Sequence, residues 1–100
     1  MTEAAEADLA EIWAYLAIEA SETTATRFVE AIEGDFNRLL DFPLSGPARD
    51  QLVPGLRAII HSPFVIYYAP SEKAVTIVRV LHGARDVVAI AERGELGAPN

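Results

Sequence analysis

Apolar residues recur at helical spacing in the first forty positions and at strand spacing from the mid-fifties on. Ala5, Leu9, Ile12, Trp13, Leu16 and Ala17 keep the period of one helix face. Thr2 precedes that run as a capping residue, with Glu3 in the first turn. Glu6, Asp8, Glu11 and Glu19 fall mostly off the stripe, which predicts a solvated face. Ser21-Glu22-Thr23-Thr24 breaks the pattern and supplies caps for a second helix, with stripe Ala25, Phe28, Val29, Ile32, Phe36, Leu39 and Leu40. Pro43 ends it. So short a break predicts an antiparallel helical hairpin over residues 1–42.

Residues 43–55 hold three prolines and two glycines and read as a loop. Leu56–Ile60, Phe64–Ala69 and Ala74–Leu81 read as strands, separated by Ser62-Pro63 and by Pro70-Ser71-Glu72-Lys73. Short connections predict an antiparallel meander over 56–81. Asp86 caps a short last helix over 86–93, Gly94 stops it, and 94–100 reads as a mobile tail. The whole of 1–100 reads as one α+β domain, a helical hairpin on one face of a three-stranded antiparallel sheet. Phe64, Ile66 and Tyr68 alternate with Val65 and Tyr67, so both sheet faces carry apolar residues. A half-solvated sheet alternates more cleanly, which leaves the second face to loops, solvent or a partner.

Charge narrows the function classes. The chain carries a formal net charge of −7, and it is unevenly placed. Residues 1–41 hold ten acids against two arginines, whereas residues 42–100 hold six basic groups against five acids. The first half is therefore a poor surface for phosphates, and only the second offers a weak positive one. Seven of the eight basic residues are arginine, which suits a protein partner at least as well as a phosphate. No cysteine is present, so disulfide and thiolate chemistry are absent. With no signal-like start and no apolar run near the roughly 20 residues of a membrane span, the expected compartment is the cytoplasm.

The segment IVRVLHGARD, Ile77–Asp86, resembles the closing strand of the RelE/ParE toxins, on the ParE side. AEADLAEIWAYLA at Ala5–Ala17 is similar to the first helix of that family. TRFVEAIEGDFNRLLDFPLSG at Thr26–Gly46 is similar to its second helix and following loop, and LVPGLRAI and FVIYYAP to its middle strands. The resemblance implies a ParE-like toxin of a type II toxin–antitoxin (plasmid-stabilisation) pair. It implies neutralisation by a ParD-type antitoxin and inhibition of DNA gyrase through protein–protein binding. Two departures stand out. Family members open with a short strand, whereas Met1-Thr2 runs straight into the first helix. Either the natural start lies upstream, or the sheet lacks a fourth strand and exposes an edge. Ala69 stands where a basic residue is expected after the aromatic pair.

Arg57, Arg79, His82 and Arg85 form the basic cluster proposed to bind the target. The alternative for Arg79, a strand arginine among valines, is a structural ion pair with an acid such as Asp86 or Asp50. Trp13, Phe64, Tyr67 and Tyr68 are the aromatic candidates for antitoxin binding, with core packing as the alternative for each. His82 with His61 and Tyr67 or Tyr68 would be the acid–base groups of a RelE-like ribosome-dependent mRNA interferase. One lysine, Lys73, and a pI near 4.6 make that basic constellation thin. The expected protein is therefore not an enzyme. It uses no metal or cofactor, since two histidines lack ligand spacing, and it binds neither nucleic acid nor membrane. An inactive family member that only binds its antitoxin is the third reading.

Overall fold

A computed structural model describes residues 1–97. The chain runs α1 (Glu3–Glu19), α2 (Glu22–Asp41), β1 (Arg57–His61), β2 (Phe64–Pro70), β3 (Val75–His82) and α3 (Val87–Glu92). The three strands pair antiparallel in the order β1-β2-β3. The helical hairpin lies on one sheet face, as the periodicity predicts. Capping follows the sequence: Thr2 and Ser21 accept from the backbone N–H groups of Ala5 and Thr24, and Asp86 accepts from Ala89 N–H. Gly94 takes φ +79°, the left-handed conformation that ends α3 without a Cβ clash.

The core between hairpin and sheet contains Ala5, Leu9, Ile12, Ile32, Leu39, Ile66, Tyr68, Ile77 and Val80. A second core lies on the other face, built from Leu56, Ala58, Tyr67, Val78, Leu81, Ile90 and Leu96. The loop residues Leu52 and Val53 and the α3 residue Val87 pack against it. The chain thus covers its own second sheet face. Leu96 is fully buried, so the expected mobile tail from 94 is corrected: its first part is core. The remainder of that tail, 98–100, lies outside the described residues.

A bulge divides the apolar residues of β3 between the two cores. Tyr67 pairs with Arg79 and Tyr68 with Ile77, leaving Val78 unpaired. Ile77 and Val80 therefore both face the helices, and Val78 and Leu81 both face α3. Strict alternation would have split each pair.

The loop before β1 is tied down through Gly46. Its N–H donates to the Tyr68 hydroxyl at 2.9 Å, and its carbonyl accepts from Arg57 Nη1 at 2.6 Å. A Cβ at Gly46 would come within 2.5 Å of the Ala58 carbonyl oxygen, so only glycine allows this approach.

Ile32 is fully enclosed between the layers. Ile32→Ala should cost about 2–5 kcal/mol, read as a lower urea midpoint at unchanged slope. The 83% exposed Ile18 should tolerate the same change within about 0.5 kcal/mol. Equal midpoints for the two variants would contradict the packing.

Candidate functional site

Asp8 sets the geometry of the site. The sequence reading placed it on a solvated face, but it is 7% exposed. Its carboxylate accepts from Arg79 Nε at 2.7 Å and Nη2 at 2.9 Å, and from the backbone N–H of Val80 at 2.9 Å. Arg79 is therefore in a structural ion pair, but with Asp8 and not Asp86 or Asp50. The hydrogen bond to Asp8 holds its guanidinium still more firmly protonated. Asp8 sits at the border of the buried stripe, where a turn of the helix brings it over the outer edge of β3. Three hydrogen bonds and the opposite charge of Arg79 offset the cost of burying the carboxylate.

The same edge is closed further along by Thr2. Its N–H donates to the Ile77 carbonyl at 3.0 Å and its hydroxyl to the Val78 carbonyl at 2.7 Å. The sheet has three strands among the described residues, and the edge expected to be open is met by the start of α1.

Beside the ion pair lies a groove of about 470 Å³ between α1, α2 and the end of the β2–β3 hairpin. Ile12 and Leu16 form its α1 side, Phe28 reaches in from α2, and Phe64, His82 and Arg85 form the sheet side. Tyr15, 63% exposed, stands on the rim. The rings interlock edge to face: Phe28 with Phe64 at 5.7 Å between centroids, and Phe64 with His82 at 5.6 Å.

The groove unites residues that the sequence reading kept in two groups. Phe64, expected to meet the antitoxin, lines it with His82 and Arg85, expected to meet the target. Arg79 lies behind, bound to Asp8. Arg57 is elsewhere, bracing the Leu44 and Gly46 carbonyls. Trp13 faces α2, where its indole N–H donates to the Thr26 hydroxyl at 3.1 Å. Tyr68 is fully buried and Tyr67 8% exposed, on opposite sides of the sheet. Both occupy the core positions weighed as their alternative. Burial pushes the Tyr67 phenol above its ordinary range, with Arg49 pulling weakly the other way.

Tyr67 and Tyr68 lie in the cores and do not join His82 in the groove. His61 Nδ1 lies 2.5 Å from Asp35 Oδ2, with the Phe28 ring edge-on at 5.3 Å between centroids. Asp35, 3% exposed, also pairs with Arg38 one turn along α2. Sequence reading missed this clasp because Asp35 sits between stripe residues and its partner is 26 positions away. No group of three potential metal ligands occurs among the described residues.

Two outcomes follow from these environments. Asp8→Leu alone should cost about 3–5 kcal/mol, because it strands a buried guanidinium and the Val80 N–H. Combining it with Arg79→Met should recover most of that loss in urea unfolding; a double variant as unstable as the single would contradict the pair. For Tyr67, the folded-state value lies above the unfolded one. Its stabilisation is complete below about pH 10 and is lost as pH rises through the folded value. The ultraviolet phenolate titration of the parent minus that of Tyr67→Phe should have its midpoint above about pH 10; a lower midpoint would contradict the burial.

Comparison with known proteins agrees with this architecture. The family described as the ParE toxin of type II toxin–antitoxin system, parDE, matches residues 1–87. Toxin ParE3 of Caulobacter vibrioides is 35% identical over 65 residues, which are 65% of each chain. The match thus spans a little under two thirds of that relative's length. A solved structure, the chromosomal ParDE TA system from P. aeruginosa, superposes with a TM-score of 0.71 at 25% identity. That match covers 81% of this chain and 89% of the other. The family match over residues 1–87 and the shared fold together show that the chain belongs to the ParE toxin family.

Proposed function

We propose that this chain is the toxin half of a type II toxin–antitoxin pair in the cytoplasm and works by docking on another protein. The target is DNA gyrase, and a ParD-type antitoxin silences the toxin by occupying the groove. The observation that carries this reading is the groove itself, which gathers Phe64, His82 and Arg85 against α1. Exposed aromatic and arginine side chains around an apolar floor supply binding energy to a polypeptide. One surface shared by both sets of candidate residues makes neutralisation a matter of competition.

The distribution of the remaining groups supports docking over chemistry. His61 is engaged with Asp35, and the Tyr68 hydroxyl with Gly46. Arg79, the strand arginine of the basic cluster, is committed to Asp8. Tyr67 and Tyr68, the tyrosines weighed as acid–base groups, pack in the two cores and do not line the groove that carries His82, which supports docking over chemistry. No described helix is long and apolar enough to cross a membrane.

Purified chain added to gyrase should block supercoiling of relaxed plasmid at saturating ratios, and antitoxin added in excess should restore it. Full supercoiling at saturating chain would overturn the gyrase assignment. Cleavage of ribosome-bound message would place the activity on the RelE branch. Normal growth of cells expressing the chain without its antitoxin would mark an inactive toxin.

A further inference from the structure

The two walls of the groove offer a ligand different chemistry. On the α1 wall, the charge of Asp8 is already neutralised by Arg79. Glu11 is exposed there. On the opposite wall, Arg85 is exposed and forms no salt bridge among the described residues. His82 accepts from the Ala84 backbone N–H at its Nδ1, 3.0 Å away. The neutral imidazole therefore carries its proton on Nε2, and that N–H is the donor left for a ligand. The edge-on Phe64 ring holds the imidazole plane in place.

Resting on the toxin reading above, we propose that the groove recognises a paired feature of the antitoxin: an apolar side chain followed closely by a carboxylate. The apolar side chain seats against Phe28 and Phe64. The Asp or Glu carboxylate takes the Arg85 guanidinium and the His82 Nε2–H. Charge complementarity selects this occupant. A guanidinium without a partner presents a planar fork that matches a carboxylate, and His82 adds a neutral donor beside it. A nucleic-acid backbone is disfavoured, because its repeated charges would also approach Glu11 and the acidic hairpin. A second copy of the chain is disfavoured by its own net charge of −7. The groove volume of about 470 Å³ falls within the range of a built small-ligand site and accommodates such a pair of side chains.

The test separates the groove's chemistry from the identity of the toxin. In the first arm, 3-phenylpropanoate and phenethylamine are titrated into labelled chain and followed by amide chemical shifts. The carboxylate should shift His82, Ala84 and Arg85 at millimolar concentration and bind about tenfold or more tightly than the amine. Arg85→Ala should erase that preference. Equal binding of both probes, or a preference unchanged in Arg85→Ala, overturns the proposal. In the second arm, the antitoxin is titrated against Arg85→Glu and against Arg27→Glu on the outer surface of α2. Affinity should fall about 10- to 100-fold for the first and stay unchanged for the second. Parent-like affinity of Arg85→Glu, as far as the antitoxin binds the parent chain at all, overturns the proposal and leaves the toxin reading intact. An antitoxin that fails to bind the parent chain removes the toxin reading, and the probe titration then decides the groove's chemistry alone.

Discussion

The rest of the molecule is arranged around one buried carboxylate. Asp8 binds Arg79 by two hydrogen bonds and closes the Val80 N–H with the same group. An edge strand with free N–H and C=O groups invites pairing with other chains. Here the edge of β3 is sewn to α1 by Asp8 and, further along, by Thr2. These links fix how α1 lies along the strand. α1 and the end of β3 form two of the groove's sides, so its α1 wall depends on this ion pair. Arg79 Nη1 also reaches the Glu95 carbonyl at 3.4 Å, which ties the segment carrying the buried Leu96 to the same point.

The fold was largely legible because its determinants are local or periodic. The stripes of both helices, the caps Thr2, Ser21 and Asp86, and the turn residues between strands each act within a few positions. What was not legible depends on residues far apart in the chain. Asp8 carries no local sign that it is buried, and its partner Arg79 stands 71 positions on. The bulge at Val78 has no turn signature, yet it determines which apolar side chains of β3 enter which core. The second sheet face was left to loops, solvent or a partner, and which of these covers it was not legible because Leu52, Val53, Ile90 and Leu96 lie in a proline-rich loop and in a short last helix with its tail. The candidate site was legible in part. Phe64, His82 and Arg85 were singled out and come together in the groove, whereas strand position and sheet alternation gave no sign that Arg57 braces the loop carbonyls or that Tyr67 and Tyr68 are buried.

The charge distribution gives the groove a polarity consistent with a protein ligand. The hairpin is predominantly acidic, with ten acids against two arginines in residues 1–41, and the Arg85 wall faces α1 across an apolar floor. A partner must therefore meet both signs within a short distance, which favours specificity over raw affinity. On the proposed reading, target and antitoxin would compete for this cleft, where Phe64, His82 and Arg85 meet. The edge-to-face row Phe28-Phe64-His82, carried by α2 and the β2–β3 hairpin, is suited to binding with little rearrangement.

If a protein partner sits in the groove between α1, α2 and the β2–β3 hairpin, amide hydrogen exchange of the chain alone and in complex with its antitoxin will register it. The antitoxin's largest added protection should fall on the second half of α1 and on residues 63–65 and 80–85. Protection confined to the loop at 43–55 and to α3, with the groove segments exchanging as in the free chain, would contradict it.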